Sequence, residues 1–308
     1  MLEFLSQVPE LPACRPLALA DQPFLAARFA TEPSGTSEMT FTNLFAWSGS
    51  HPVFLARWRN TLLLWRGPRE RGYLLPPYGE PLDRIGIRAV LAWAAAMGGA
   101  PRFARLPASA AHRLHAVDPE LSLVADRDQA DYVYLREELA TLSGRKFDGK
   151  RNLIKKFEKS VAAVYQPLDA DLVAFCLEMQ KDWCEVRECS EHPDLDAENE
   201  AVCRALEYWD RLPLFGGALL TADGPRRILA FTVAERLTAD TAVIHFEKGT
   251  TQYPGVYQAL NRLFCEKALA AMTFVNREQD LGLPGLRQAK ESYHPHHLVE
   301  KFILQPTG

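Results

Sequence analysis

The chain has 308 residues, of which 47% are hydrophobic and 24% charged, with a net charge of −4. Such a length suggests two domains of roughly 100–200 residues, each long enough to bury a core, and the weak negative charge gives no global reason to expect nucleic-acid binding. No apolar run approaches the ~20 residues that span a bilayer, and the N-terminus has no basic stretch leading into an apolar segment and a cleavage site, so a cytoplasmic location is expected. In chain order, Val53–Arg57 and Thr61–Arg66 read as a hairpin turning at Arg59-Asn60. Tyr73–Leu75 is a further strand, stopped by Pro76-Pro77. A helix is expected from about Leu82 to Met97, ended by Gly98-Gly99, and then a strand over Arg102–Leu106. The middle, 136–212, reads as mostly helical, punctuated by Pro167 and His192-Pro193. Leu214–Thr221, Arg227–Arg236 and Thr241–Glu247 are strands, the first two parted by the turn Asp223-Gly224-Pro225. A helix over Val256–Ala271 and a strand over Met272–Arg277 follow.

Each half therefore runs hairpin, third strand, helix, fourth strand, which suggests an internal structural duplication. The expected fold is α/β (α+β): two repeats, each a mixed, mostly antiparallel sheet flanked by helices. The boundary is expected at 135/136, giving a repeat over 1–135 and a second over 136–308 that includes the helical connection 136–212. Six scattered cysteines form no CxxC pair, and free thiols in a reducing compartment are expected.

The segment from Thr241 to Arg277 carries the chemistry. A strand runs into Lys248-Gly249 and a loop, and then into a helix with Val256, Leu260, Leu263, Phe264 and Ala268 on one face. Free backbone N–H groups and the helix dipole at such a junction make an anion site; a plain strand–loop–helix connection is the other reading. Asn276, Glu278 and Asp280 alternate at a strand end and project to one side. Asn276 could hydrogen-bond an amide, and Glu278 or Asp280 could take a proton from an attacking amine if burial or a neighbour raises its pKa; Asp280 could instead close a turn before Gly282. Glu247 ends its strand where it could bind an acceptor amine, or it could pair with Lys248 or Arg227. Lys290 offers a positive charge to a carboxylate or phosphate, or is a solvated helix lysine. Tyr253, Tyr257 and Tyr293 could donate protons or simply pack.

Seven of the sixteen residues Gly144–Lys159 are Lys or Arg. Arg145, Lys146, Lys150, Arg151, Lys155 and Lys156, with Phe147, Leu153, Ile154 and Phe157 as an apolar side, suggest an amphipathic basic helix that could track phosphates of tRNA or an anionic surface. A solvated linker helix is the alternative. His294-Pro295-His296-His297 lacks a carboxylate or Cys cluster to complete a shell, so no metal is expected. Arg66–Gly72 is basic but matches no phosphate-loop pattern and is read as structural, or as part of an acceptor cleft between the repeats.

Gln252-Tyr253-Pro254-Gly255-Val256-Tyr257 resembles the pyrophosphate loop of the GNAT superfamily of acyltransferases, matching it at Gln252 and Gly255. Tyr257 departs, because the superfamily has a small residue there that lets the backbone approach coenzyme A. Asn276–Gly282 and Gly285–Pro295 resemble the signature of the DUF2156 family, related to the C-terminal domain of phosphatidylglycerol lysyltransferases; Gly285–Tyr293 is also similar to Fem-type peptidyl transferases. Thr40–Trp47 and the Lys146–Asn152 run look like the same family. The resemblance implies a tandem GNAT fold over about 15–305 and aminoacyl transfer from aminoacyl-tRNA to an amine or hydroxyl of a small molecule, peptide or lipid. An acyl-CoA-dependent N-acyltransferase and a non-catalytic module binding tRNA or an anionic surface are the alternatives. Taken with the residue reading above, Glu278, Asp280 and Glu247 are expected to be catalytic, and Gln252, Tyr253, Gly255, Tyr257, Asn276, Lys290 and Tyr293 donor-binding.

Overall fold

The computed structural model describes residues 2–68 and 71–307; Arg69 and Glu70 of the basic Arg66–Gly72 segment lie outside the described residues. Among the described residues fifteen strands follow in chain order: β1 (Arg15–Pro16), β2 (Val53–Trp58), β3 (Thr61–Arg66), β4 (Tyr73–Leu74), β5 (Tyr78–Gly79), β6 (Phe103–Pro107), β7 (Leu121–Ala125), β8 (Asp131–Leu135), β9 (Ala163–Pro167), β10 (Leu214–Thr221), β11 (Ile228–Arg236), β12 (Thr241–Gly249), β13 (Phe274–Asn276), β14 (His297–Val299) and β15 (Lys301–Pro306). They form two mixed sheets. One has the order β1-β2-β3-β4-β6-β15-β7 with β5 on β3, and the other β14-β8-β13-β12-β11-β10-β9. Helices flank both, so the expected tandem GNAT-like fold is the observed one.

The chain forms two compact units. The first holds residues up to Asp131, Gln279–Leu283 and the segment from Val299 on; the second holds Tyr132–Glu278 and Pro284–Leu298. The expected contiguous halves are thus not how the strands are shared. β15, from the C-terminus, lies antiparallel between β6 and β7, and β8 pairs with β13. The reading of 136–212 as helical also omits β9, which edges the second sheet against β10. Its sequence Ala-Val-Tyr-Gln-Pro is short and ends in proline, so little local pattern marks it.

In the first unit the helix Arg84–Ala96 starts where the Asp83 carboxylate accepts the Gly86 N–H, a side-chain N-cap. Ile87, Val90, Leu91 and Ala94 recur at helical spacing and bury against Trp65, Leu74 and Phe103. The second core lies under the helix Val256–Lys267, whose Val256, Ala259, Leu260, Phe264 and Cys265 meet Ala230, Ile244 and Val275. That helix stops at Lys267, four residues before the expected Ala271. Cys184 and Cys189 are disulfide-bonded rather than free. The helix Ala170–Val186 ends between them and the chain folds back, bringing their α-carbons to 5.1 Å, within bridging range. No helix among the described residues is long and apolar enough to cross a membrane.

Candidate functional site

β12 and β13 run parallel only from Thr241↔Phe274 to Val243↔Asn276. β12 then continues to Gly249 while β13 turns away. Two irregularities furnish the gap. On β12, Phe246 faces Val233 and Ile244 faces Ala234, which leaves His245 as the extra residue of a bulge. After β13, Arg277 donates to the Tyr132 carbonyl and Tyr132 donates to the Glu278 carbonyl, so two residues oppose one. Glu278 is left-handed there, with φ of 58°. The fully buried Asn276 holds that turn, its Oδ1 accepting the Glu278 N–H at 2.8 Å.

The result is a carboxylate–imidazole–carboxylate bridge. His245 Nδ1 lies 2.9 Å from Glu278 Oε1, and Nε2 lies 2.8 Å from Glu235 Oε1. Glu235 and His245 are buried, and the Glu278 side chain is 15% exposed. Burial opposes a charge on His245, but the hydrogen bonds to Glu235 and Glu278 overcome it and raise its pKa to about 10. At neutral pH the ring is therefore an imidazolium donating from both nitrogens, and it fixes the Glu278 carboxylate in the gap.

A second ion pair is built beside it. Arg277 Nη2 reaches Glu247 Oε2 at 2.5 Å, and Asn261 Nδ2 approaches the other Glu247 oxygen at 3.4 Å. The Arg277 guanidinium lies over Tyr293 and Tyr134, 5.0 and 5.8 Å from the ring centres. Burial pushes the Tyr293 phenol up to about 12 against the opposing pull of Arg277. Lys150 Nζ sits 4.0 Å from the centre of the Tyr293 ring and donates to Ser292 Oγ at 2.6 Å; burial and Arg277 lower its pKa. Lys290 donates to the Arg277 carbonyl. Buried Arg277 Nε and Asn261 Oδ1 have no hydrogen-bond partner, so one donor of the pair and one acceptor of its neighbour Asn261 are unmet.

Not all expected residues gather here. Gly255 precedes the first residue of the helix, with φ of 97°. Its α-carbon, however, faces the helix Asp148–Ser160: a Cβ there would stand 2.1 Å from the Leu153 carbonyl oxygen. Tyr253 packs edge-on against Phe157, Tyr257 donates to the Gly249 carbonyl at 3.1 Å, and Gln252 faces solvent. The helix Asp148–Ser160 thus covers the α-carbon side of Gly255. Asp280 belongs to the first unit and does what the turn reading described. Its Oδ1 accepts the Gly282 N–H at 2.9 Å, its Oδ2 pairs with Arg127 at 3.2 Å, and it is fully buried. Within the basic helix, Lys150 turns inward, Arg151 pairs with Asp148 and donates to the Leu142 and Gly144 carbonyls, and Lys146 pairs with Glu138. Arg145, Lys155 and Lys156 face solvent. His296 and His297 pack on Phe274, and His294 on Phe147.

His245, Glu235, Arg277 and Asn261 went unread in the sequence. The available signal was weak: a histidine and two glutamates in otherwise apolar or β-branched strands, where an inward-facing charge requires a partner.

Residues 29–305 match the family model for the phosphatidylglycerol lysyltransferase C-terminal domain. The chain belongs to this family. It is an acyl- and aminoacyl-transferase family, and three solved structures agree with the fold. A conserved protein of unknown function from Bacteroides thetaiotaomicron superposes with a TM-score of 0.85 at 29% identity, covering 96% of this chain and 99% of that one. The C-terminal DUF2156 domain of a putative lysylphosphatidylglycerol synthetase from Agrobacterium fabrum gives 0.63 at 13%, covering 94% and 93%. The L-PGS of Bacillus licheniformis gives 0.59 at 16%, covering 92% and 91%. No curated protein matches.

Proposed function

We propose that this family member transfers an aminoacyl group from aminoacyl-tRNA to an amine or hydroxyl acceptor in the cytoplasm. The observation that carries the reading is the Glu278 carboxylate, held in the gap between β12 and β13 by the His245 imidazolium and backed by Glu235. In the proposed step the acceptor nitrogen or oxygen attacks the ester carbonyl of the donor. A bond forms to the acyl carbon, Glu278 takes the proton that the acceptor loses, and the ester C–O bond breaks to free a ribose hydroxyl, which takes up a proton in turn. Placement of the reactants and of this carboxylate supplies the rate.

A tRNA donor is favoured over coenzyme A because helix Asp148–Ser160 covers Gly255 and Tyr257 stands where the GNAT pattern has a small residue. The solvent-facing Arg145, Lys155 and Lys156 suit a polyanion. The test is transfer of radiolabelled amino acid from a mixed pool of charged tRNA to small amines, peptides and anionic lipids. Glu278→Gln is expected to lower turnover roughly 100-fold or more with tRNA affinity unchanged. Equal turnover in Glu278→Gln, or acyl transfer from acyl-CoA but not from charged tRNA, refutes the assignment.

A further inference from the structure

The first unit repeats the strand geometry that builds the Glu278 site. β6 lies between a parallel neighbour, β4, and an antiparallel one, β15; β13 lies between parallel β12 and antiparallel β8. Leu74↔Phe103 is the parallel pair in the first unit, and two residues later Arg105 is left-handed at φ of 58°. Val243↔Asn276 is the last parallel pair in the second, and two residues later Glu278 has the same φ. Both residues sit in irregular antiparallel pairing. Between Phe302↔Leu106 and Leu304↔Phe103, Ala104 and Arg105 oppose Ile303 alone, as Arg277 and Glu278 oppose Tyr132. A left-handed non-glycine residue costs about 1–3 kcal/mol and persists where the surroundings impose it. Its recurrence at corresponding positions points to one device used twice.

The charges are inverted between the copies. In the second unit a carboxylate meets a buried cation; in the first, the Arg105 guanidinium meets the buried carboxylate of Glu38, with Nε 3.4 Å from Oε1. Arg105 also reaches Asp126 at 3.6 Å and lies over Tyr73, 5.8 Å from the ring centre. Arg66 is the cross-strand partner of Tyr73, so both point to the same face. Buried Arg66 donates to neutral Asn43 at 3.0 Å and makes no ion pair among the described residues. Arg105 Nε is also buried, and the Glu38 Oε1 it faces at 3.4 Å is not aligned for a hydrogen bond. Glu38 is shared, because Lys301 also reaches it, at 2.6 Å. Arg105 lies over the Tyr73 ring in loosely aligned ion pairs, and Arg66, on the same face of the sheet, has only a neutral side-chain partner; guanidinium forks match the geometry of phosphate oxygens.

We propose that the first unit holds an oxyanion site in which Arg105 and Arg66 bind a phosphate group beside Tyr73. It uses no residue of the Glu278 site and stands whether or not the chain transfers aminoacyl groups. The test is calorimetric titration of the full chain with inorganic phosphate at fixed ionic strength. The unchanged protein and Glu278→Gln should bind saturably. Arg105→Gly, which also relieves the left-handed backbone, and Arg66→Gln should each weaken binding roughly tenfold or more. Arg105→Lys keeps the charge without the fork and should fall between. Melting curves without phosphate identify any variant that fails to fold, in which case Arg105→Lys carries the test. Dimethyl phosphate in place of phosphate tells the source: tighter diester binding assigns a phosphodiester, tighter inorganic phosphate a terminal phosphate. Absence of saturable binding of either, or equal affinity in the folded variants and the unchanged protein, overturns the site.

Discussion

Glu278 owes its position to a left-handed backbone, the side-chain amide of Asn276 and an imidazolium, and each can be altered separately. His245 has its pKa raised from 6.5 to about 10, so the folded state binds a proton that the unfolded chain releases. The stabilisation from that proton is complete below pH 6.5, declines as pH rises, and is gone above about 10. Urea titrations at pH 6, 8 and 10 are therefore expected to show stability falling across this window, and His245→Asn should flatten the fall. A wild-type slope no steeper than that of His245→Asn would mean that the ring is neutral in the folded protein.

The element that most depends on a single buried charge is β15. Its first residue, Lys301, is fully buried, with Nζ 2.6 Å from both Asp131 Oδ1 and Glu38 Oε2. Ser37 completes the cluster, its N–H donating to Asp131 Oδ2 at 2.7 Å. Such a network fixes register, because sliding β15 by one residue would point Lys301 to the other face and strand two carboxylates. Lys301→Met is expected to cost about 3–5 kcal/mol, read as a lower urea midpoint with unchanged slope. Lys301→Arg, which keeps the charge but adds volume in a closed site, should recover only part of it. The basic helix Asp148–Ser160 invites a different measurement. Charge reversal of Lys155 and Lys156, which face solvent, should weaken tRNA binding and make its salt dependence shallower by about two counterions. Wild-type folding stability should persist in that variant, and an unchanged salt slope would remove tRNA from this face.

At the scale of the whole chain, exchange of the terminal strand means that neither contiguous half is a folding unit. Residues 1–135 lack β15, so β6 and β7 each lose their shared neighbour and expose two strand edges. Residues 136–308 lack β8, which pairs with β13. Each half expressed alone is expected to aggregate or to give no cooperative melt, and mixing the two during refolding should restore a cooperative transition. Two independently melting halves would contradict the observed pairing.

Local pattern determined the parts of this molecule that repeat at short range. The hairpin β2–β3, the helices Arg84–Ala96 and Val256–Lys267, and the strands on either side were legible because burial on one face imposes a period that a sequence displays. The family signature likewise lay in contiguous residues. Tertiary structure alone decided what those residues touch. His245 reaches Glu235 and Glu278 because a one-residue bulge turns it into a gap between strands, and bulges leave almost no trace in composition. Gly255 was legible as the end of a loop before a helix, but the helix that covers it comes from about a hundred residues earlier in the chain. The C-terminal strand went unread for the same reason: its partners are distant, and pairing energy between distant strands is set by the fold and not by the six residues themselves.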